Sequence, residues 1–479
     1  MSVEAAIDDL KSRCVQKTPT GVKGLDEITQ GGLPRNRSTL VCGGPGCGKT
    51  LLSMEFIVNG ISRFGENGAY ISFDESKSDL AENVASLGFD IEAMIARKAL
   101  HVTSIPIHPG IAGEFGEYDL GGLFATIGHA IDSVGAKRLV IDGIDNLFSF
   151  FSNESIIRQE LRKLIKWLKE KEVTVILTCE RGEGRMLLTR HGIEEYISDC
   201  VILLDQRIID QIAVRRLKIV KYRGALHGTN EYPFLVTEQG IIIFPVTSMA
   251  LDYEVAGERV STGLQGLDGM LSNNGYFKGS SILVSGGAGA GKSSLAGSFS
   301  ASICKEGKRC IYFAFEEPAA QIIRNMSSIG LDLAGYRDSG LLKIHATRPT
   351  EYGVEMHLLS MHTVIESFKP EAVVFDPISS LTDVGLKGDI RSMFIRILDY
   401  LKNRQITNLS TDLTQGGGYR LDTDIGISSI MDTWIIVKNR ERDNYKERLI
   451  EIVKSRGMAH IDRIQGFKIT NDGIFFNEL

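Results

Sequence analysis

Short β-branched apolar runs alternate with longer amphipathic stretches along the whole chain. "STLVCG", "GAYISF", "RLVID", "VTVILTC" and "CVILLD" are runs of the kind buried on both faces of a parallel sheet. "ESIIRQELRKLIKWLKEK" repeats its apolar residues at helical period and places basic residues near its C-terminal end, where the helix dipole favours them. This alternation predicts an α/β fold, a mostly parallel sheet with helices on both faces.

The pattern occurs twice. "TGVKGLDEITQGGLPRN" precedes a glycine-rich phrase, "VCGGPGCGKTLLSM", and "TGLQGLDGMLSNNGYFKG" precedes another, "VSGGAGAGKSSLAG". "GAYISFDES" answers "CIYFAFEEP", "KRLVIDGI" answers "EAVVFDPI", and "LKIVKYRGALH" answers "IEIVKSRGMAH". Lys49 to Lys292 is 243 residues, Glu75 to Glu317 is 242, Asp142 to Asp376 is 234, and Arg223 to Arg456 is 233. Four landmarks in one order with a slow drift predict a tandem duplication of a whole domain. The boundary is expected near residues 246–259, giving domains 1–248 and 249–479.

Composition narrows the class. The 479 residues are 43% hydrophobic and 24% charged, with a formal net charge of −6, so no basic surface argues for nucleic acid. No apolar run approaches the ~18 residues of a membrane helix. The polar N-terminus is not a secretory signal. The seven cysteines form no C-x-x-C pair. They read as reduced residues of a cytoplasmic protein, and no zinc site is expected.

Both glycine phrases fit G-x-x-x-x-G-K-[ST], each after an apolar strand and at the start of a helix. Glycines let backbone N–H groups turn toward phosphate oxygens, and the helix adds its positive N-terminus. The expected ATP contacts are Gly44, Pro45, Gly46, Cys47, Gly48, Lys49, Thr50 and Leu51 in the first half. In the second they are Gly287, Ala288, Gly289, Ala290, Gly291, Lys292, Ser293 and Ser294. The lysines would reach the β- and γ-phosphates, and the hydroxyls of Thr50 and Ser293 would ligate Mg2+. Asp142 and Asp376 each close an apolar strand and would orient the metal's water shell.

The acid pairs Asp74–Glu75 and Glu316–Glu317 follow a strand's C-terminal end, the side on which α/β ligands bind. A carboxylate there can accept a proton from an attacking water or hydroxyl. Transition-state charge calls for cations. Lys221 and Arg223, and Lys454 and Arg456, alternate along strands and so share a face. Tyr222 and His227, and Ser455 and His460, lie in the same two phrases. If these groups complete a neighbour's nucleotide site, the protein is a ring, since a head-to-tail interface closes by rotation.

This constellation resembles the KaiC family of tandem RecA-like ATPases, over nearly the whole chain. The resemblance rests on both phosphate loops, the paired acids, the K-x-R-G strands and "EYPFLVTEQGIIIFP". It implies two tandem RecA-like P-loop NTPase domains in a homohexamer of two stacked rings, with ATP between subunits. It further implies ATP hydrolysis in the N-terminal ring and autophosphorylation and dephosphorylation in the C-terminal ring. The matching hydroxyls are Ser428 and Ser429, where the family commonly has Ser-Thr, and Thr423 matches a further hydroxyl near the site. Internal comparison sets Glu195 against Ser428 and Tyr196 against Ser429, so one half carries a fixed negative charge where the other can acquire a phosphate. The chain's last phrase, "NDGIFFNEL", carries no tail of the type that recruits a KaiA-type partner, so that partner is not expected. A KaiB-like or signalling partner is.

Two other classes compete. A DNA-binding RecA-type motor would use "ERGEGRMLLTRHG", with Arg181, Arg185 and Arg190 as a basic loop, but "TDLTQGGGYRLDTD" in the second half lacks that set. A nucleotide-gated scaffold would share the loops and lack the kinase step.

Overall fold

The computed structural model describes residues 15–105, 121–146, 154–182, 197–209, 212–238, 240–243, 257–272, 275–383, 387–414, 426–442 and 445–476. The chain forms two compact units, one of Met1–Ile208 and Ala213–Thr247 and the other of Ile209–Ile212 and Ser248–Leu479.

In the first unit the principal elements are β1 (Ser38–Gly43), α1 (Lys49–Phe64), β2 (Gly68–Ser72), α2 (Lys77–Ala85), β3 (Leu100–Ser104) and α3 (Gly121–Val134). They continue with β4 (Arg138–Asp142), α4 (Glu154–Glu170), β5 (Thr174–Glu180), β6 (Cys200–Ile209), β7 (Ile212–Tyr222), β8 (Glu231–Thr237) and β9 (Gly240–Ile243). The second unit repeats the series. Its first elements are β10 (Ser281–Gly286), α5 (Lys292–Lys305), β11 (Cys310–Ala314), α6 (Ala319–Ser327), β12 (Leu342–Ala346) and α7 (Val354–Phe368). The rest are β13 (Ala372–Asp376), α8 (Lys387–Asn403), β14 (Thr407–Leu413), β15 (Thr433–Arg442), β16 (Tyr445–Ser455), β17 (Gln465–Thr470) and β18 (Gly473–Phe476).

Each unit holds a nine-stranded sheet. The orders are β3-β2-β4-β5-β1-β6-β7-β8-β9 and β12-β11-β13-β14-β10-β15-β16-β17-β18, the same topology twice. The six strands from β3 to β6 pair in parallel, and β7, β8 and β9 add an antiparallel flank. The phosphate-loop strand lies mid-sheet, so its C-terminal end opens onto the crevice where α/β folds bind ligands.

Strand alternation divides the first unit's core. Val41, Tyr70, Val140 and Ile176 pack with Leu52 and Phe56 of α1 on one face. Leu40, Ile71, Ile141 and Val175 pack with Leu161 and Leu164 of α4 on the other. That two-sided burial explains why the strands read as unbroken apolar runs. Arg138 interrupts the pattern as a fully buried side chain. Its Nε donates to Glu66 at 2.8 Å and its Nη1 to the Phe56 carbonyl at 2.9 Å. Ala372 opens the matching strand of the second unit.

Candidate nucleotide sites

Each phosphate loop turns into its helix through a glycine in the left-handed region, Gly48 at φ 102° and Gly291 at φ 104°. A side chain there would be strained, which is why the motif needs glycine at that place. A Cβ added at Gly44 or Gly46 would meet nothing within 4 Å, so the loop's outer face has room for phosphate oxygens. The lysines donate to their own loops. Lys49 Nζ bonds the carbonyls of Gly43 and Gly44 at 3.0 and 3.1 Å, and Lys292 Nζ bonds those of Gly286 and Gly287 at 2.9 Å each. Burial lowers the pKa of Lys292, against the pull of Asp376, Asp412 and Glu316. Cys47 and Ala290 are buried beneath the loops.

Thr50 Oγ1 donates to Asp142 Oδ2 at 3.0 Å. A hydroxyl and a buried carboxylate side by side, at the foot of an open phosphate loop, form the oxygen donor set that Mg2+ takes. Asp376 holds the same position in the second unit, while Ser293 there is exposed. Residues that the sequence did not single out fix both aspartates. Tyr70 donates to Asp142 at 2.6 Å and Thr178 donates to its other oxygen. Tyr312 and Thr411 do the same to Asp376. Burial and the neighbouring aspartate push both tyrosines well above their usual pKa, so they stay donors. The 242- and 233-residue offsets could have found them.

The two members of each acid pair have different partners. Asn83 of α2 donates to Glu75 at 3.2 Å, and Asn325 of α6 donates to Glu317 at 3.1 Å. These outer carboxylates are tied to helices. The inner ones face the loops' crevice: Asn146 donates to Asp74, and Ser380 donates to Glu316. Partial burial, then Asp142 and Asp145, raise Asp74 from 3.8 to about 6, opposed by Asn146 and reinforced by Glu180. Asp145 and Glu180 were also missed. Their counterparts, Ser379 and Leu413, carry no charge.

β7 and β16 end at Tyr222 and Ser455, so Lys221 and Lys454 lie on the strands and Arg223 and Arg456 one residue past them. Tyr222 is buried and donates to the Gly32 carbonyl at 3.0 Å, and the Ser455 hydroxyl pairs with Thr433 at 2.8 Å. Those two side chains are committed to the interior, which leaves Lys221, Arg223, Lys454 and Arg456 for the outer face. His227 stacks on Tyr222, and His460 lies 3.4 Å from Asp462. Arg223 approaches Asp199 at 4.0 Å, and Arg456 approaches Asp432 at 3.9 Å. Arg456 also donates to the Ser429 carbonyl at 2.7 Å, with Lys454 at 3.5 Å from the same oxygen. Ser429 is exposed on a turn anchored by buried Ile427 and Met431. Ser428 beside it is partly buried.

Arg181, one of the basic-loop residues, pairs with Asp205 at 3.3 Å. Arg185, Arg190, Glu195, Tyr196 and Thr423 lie outside the described residues. Among the described residues no helix is long and apolar enough to cross a membrane.

Comparison with known proteins agrees with this arrangement. The family model "ATPase: KaiC" matches residues 18–248 and again 260–479. The circadian clock protein KaiC2 of Synechocystis is 47% identical over 469 residues, covering 98% of this chain and 82% of that protein. The circadian clock oscillator protein KaiC of Parathermosynechococcus lividus is 37% identical over 463 residues, covering 96% and 85%. The circadian clock oscillator protein KaiC 1 of Synechocystis is 37% identical over 466 residues, covering 97% and 90%. With the family's model matched in both halves, two RecA-like P-loop units of one topology and relatives along nearly its whole length, the chain belongs to the KaiC family of ATPases.

Proposed function

We propose that the protein is a homohexameric ATPase and autokinase that serves as a timing or signalling switch. Residues 1–248 form its hydrolytic ring and residues 249–479 its phosphorylating ring. Each nucleotide is held by the phosphate loop of one subunit and completed by the next subunit's cations, Lys221 and Arg223 in one ring, Lys454 and Arg456 in the other. His227 and His460 border those contacts.

In the first ring Asp74 takes a proton from the attacking water. Glu75, held by Asn83, keeps the loop after β2 in place. In the second ring Glu316 takes the proton of a serine hydroxyl on the adjacent subunit, the oxygen of Ser428 or Ser429 bonds to the γ-phosphorus, and ADP leaves with the electron pair of the broken bond. Thr50 with Asp142, and Ser293 with Asp376, would hold Mg2+, which neutralises phosphate charge when bound. Lys49 and Lys292 exchange their loop carbonyls for phosphate oxygens.

The observation that carries the kinase reading is the contact of Arg456 and Lys454 with the Ser429 carbonyl. It supports the reading because exposed Ser429 lies beside the two cations proposed for phosphoryl transfer. A phosphate there would add roughly −1.5 to −2 charge beside two cations and so alter ring packing. A KaiB-like or signalling partner is the expected reader of that change.

Incubation with γ-labelled ATP and peptide mapping tests the reading. Label at 428 or 429 in wild type, lost in Lys292→Ala and kept in Lys49→Ala, is the expected result. Phosphate release without label in the wild type would leave an ATPase and remove the kinase.

A further inference from the structure

The proposed reaction leaves one hydroxyl beside its base unused. Ser380 lies on the short 3-10 helix Ile378–Asp383 that follows β13, and it donates to Glu316. In the first unit Asn146, 234 residues earlier, stands at that place and donates its amide to Asp74. The two side chains make the same contact with different chemistry. An amide nitrogen has its lone pair delocalised into the carbonyl, whereas a hydroxyl that donates to a carboxylate is the arrangement of an activated nucleophile.

The contacts around Ser380 lead back to the phosphate loop of its own chain. Its neighbour Ser379 accepts the Leu413 N–H at 3.1 Å, and Leu413 lies directly across from Gly286 in the β10–β14 pair. Thr414 N–H donates at 3.2 Å to the Gly286 carbonyl, the same carbonyl that holds Lys292 at 2.9 Å. The Ser379–Ser380 pair thus spans from the base to the strand end beside the loop's root, on the side of the sheet where α/β ligands bind. Ser380 is only partly buried.

We propose that Ser380 is a phosphoryl acceptor for the ATP held by its own subunit. The Ser380 O–H proton passes to Glu316, and the oxygen bonds to the γ-phosphorus. The bond from that phosphorus to the β,γ-bridging oxygen breaks, and ADP leaves with the electron pair. Ser380 therefore competes with Ser428 and Ser429 of the adjacent subunit for one base and one phosphoryl group. This inference rests on the reading of the second unit as an autokinase site.

The test uses full-length protein carrying Ser428→Ala and Ser429→Ala, incubated with γ-labelled ATP and Mg2+, quenched in acid during the first turnovers and mapped by peptide. Label at 380 is expected. It should be kept as phosphothreonine when Ser380→Thr is added, and lost with Ser380→Ala or Lys292→Ala. In protein with Ser428 and Ser429 intact, Ser380→Ala should raise the label at those two residues. Mixed rings of Lys292→Ala chains and Ser380→Ala chains should carry no label at 380, since each chain lacks either the donor site or the acceptor. Label there means transfer between subunits and overturns the own-subunit assignment. Label at 428 or 429 in the unmutated protein, with none at 380 in any variant and less at 428 and 429 in Ser380→Ala, would make Ser380 a mere holder of Glu316. That result overturns the proposal and leaves the kinase reading standing. No label at any of the three residues would instead overturn the kinase reading itself.

Discussion

The guanidinium of Arg456 bonds the backbone carbonyl of Ser429 across 27 positions of sequence. Lys454 reaches the same oxygen at 3.5 Å. Removing the guanidinium frees the turn and takes a cation from the face proposed for phosphoryl transfer. Arg456→Ala is expected to cut phosphate incorporation at 428 and 429 on the order of 10²-fold or more, as for other arginines that stabilise phosphoryl transfer. Arg456→Lys should restore only part of it, because an ammonium lacks the fork. Single-turnover labelling of both variants measures this.

Asp74 and Glu75 are adjacent in sequence but bond different partners, Asn146 and Asn83. Asp74→Asn is expected to lower hydrolysis in the first unit by roughly 10²–10⁴, the range for a positioned base. Glu75→Gln should cost less than about tenfold, since Asn83 already occupies its carboxylate. The pH profile follows from the raised pKa. A base must be ionised, so turnover should climb with pH up to about 6 and level off above it. Phosphate release from a Lys292→Ala background, measured from pH 4.5 to 8, checks both statements.

Most of the fold could be read from residue pattern alone, because the inner parallel strands are buried on both faces and spell apolar runs, whereas the edge strands β3 and β12 are half-buried and do not. The phosphate loops were legible because glycine at Gly48 and Gly291 is a backbone requirement that leaves a fixed spacing. What stayed hidden depends on partners distant in sequence. Thr178 reaches Asp142 from 36 residues away, and Asn146 reaches Asp74 from 72. No local pattern distinguishes such a threonine or asparagine from a solvated one. Asp412 was hidden by its surroundings in "NLSTDLT", where a fully buried aspartate looks like a strand-end polar residue.

Glu55 supplies a stability test away from the chemistry. It is buried on α1 and accepts the Ile241 N–H at 2.8 Å, joining the phosphate-loop helix to the β8–β9 hairpin. Burial raises it from 4.5 to about 7, opposed by that N–H and by Asn59. The folded state therefore favours the protonated acid. Its contribution is full below pH ~4.5 and is lost as pH rises through about 7, to the extent of about 3 kcal/mol at ~1.4 kcal/mol per unit. Glu55→Gln keeps an acceptor for Ile241 and removes the titration. It should stabilise the first unit at pH 8.5 and scarcely change it at pH 5. Urea unfolding followed at Trp167, on α4 of that unit, in a Trp434→Phe background gives the measurement.

The shared-site reading makes a prediction that no single-subunit arrangement reproduces. Lys49→Ala removes the holder of the phosphates, and Arg223→Ala removes the cation on the outer face; each should be inactive in the first ring alone. If one subunit's Arg223 completes the next subunit's site, a mixed ring contains interfaces where an intact loop meets an intact arginine. With random assembly from equal parts, about a quarter of the head-to-tail interfaces are of that kind. Hydrolysis, measured in a Lys292→Ala background so that only the first ring turns over, should return to about a quarter of the unmutated rate once subunits have exchanged. Were Arg223 to serve its own chain's nucleotide, every chain in the mixture would lack one essential group and none of the activity would return. Recovery therefore separates a ring that shares its active sites from a set of self-contained subunits.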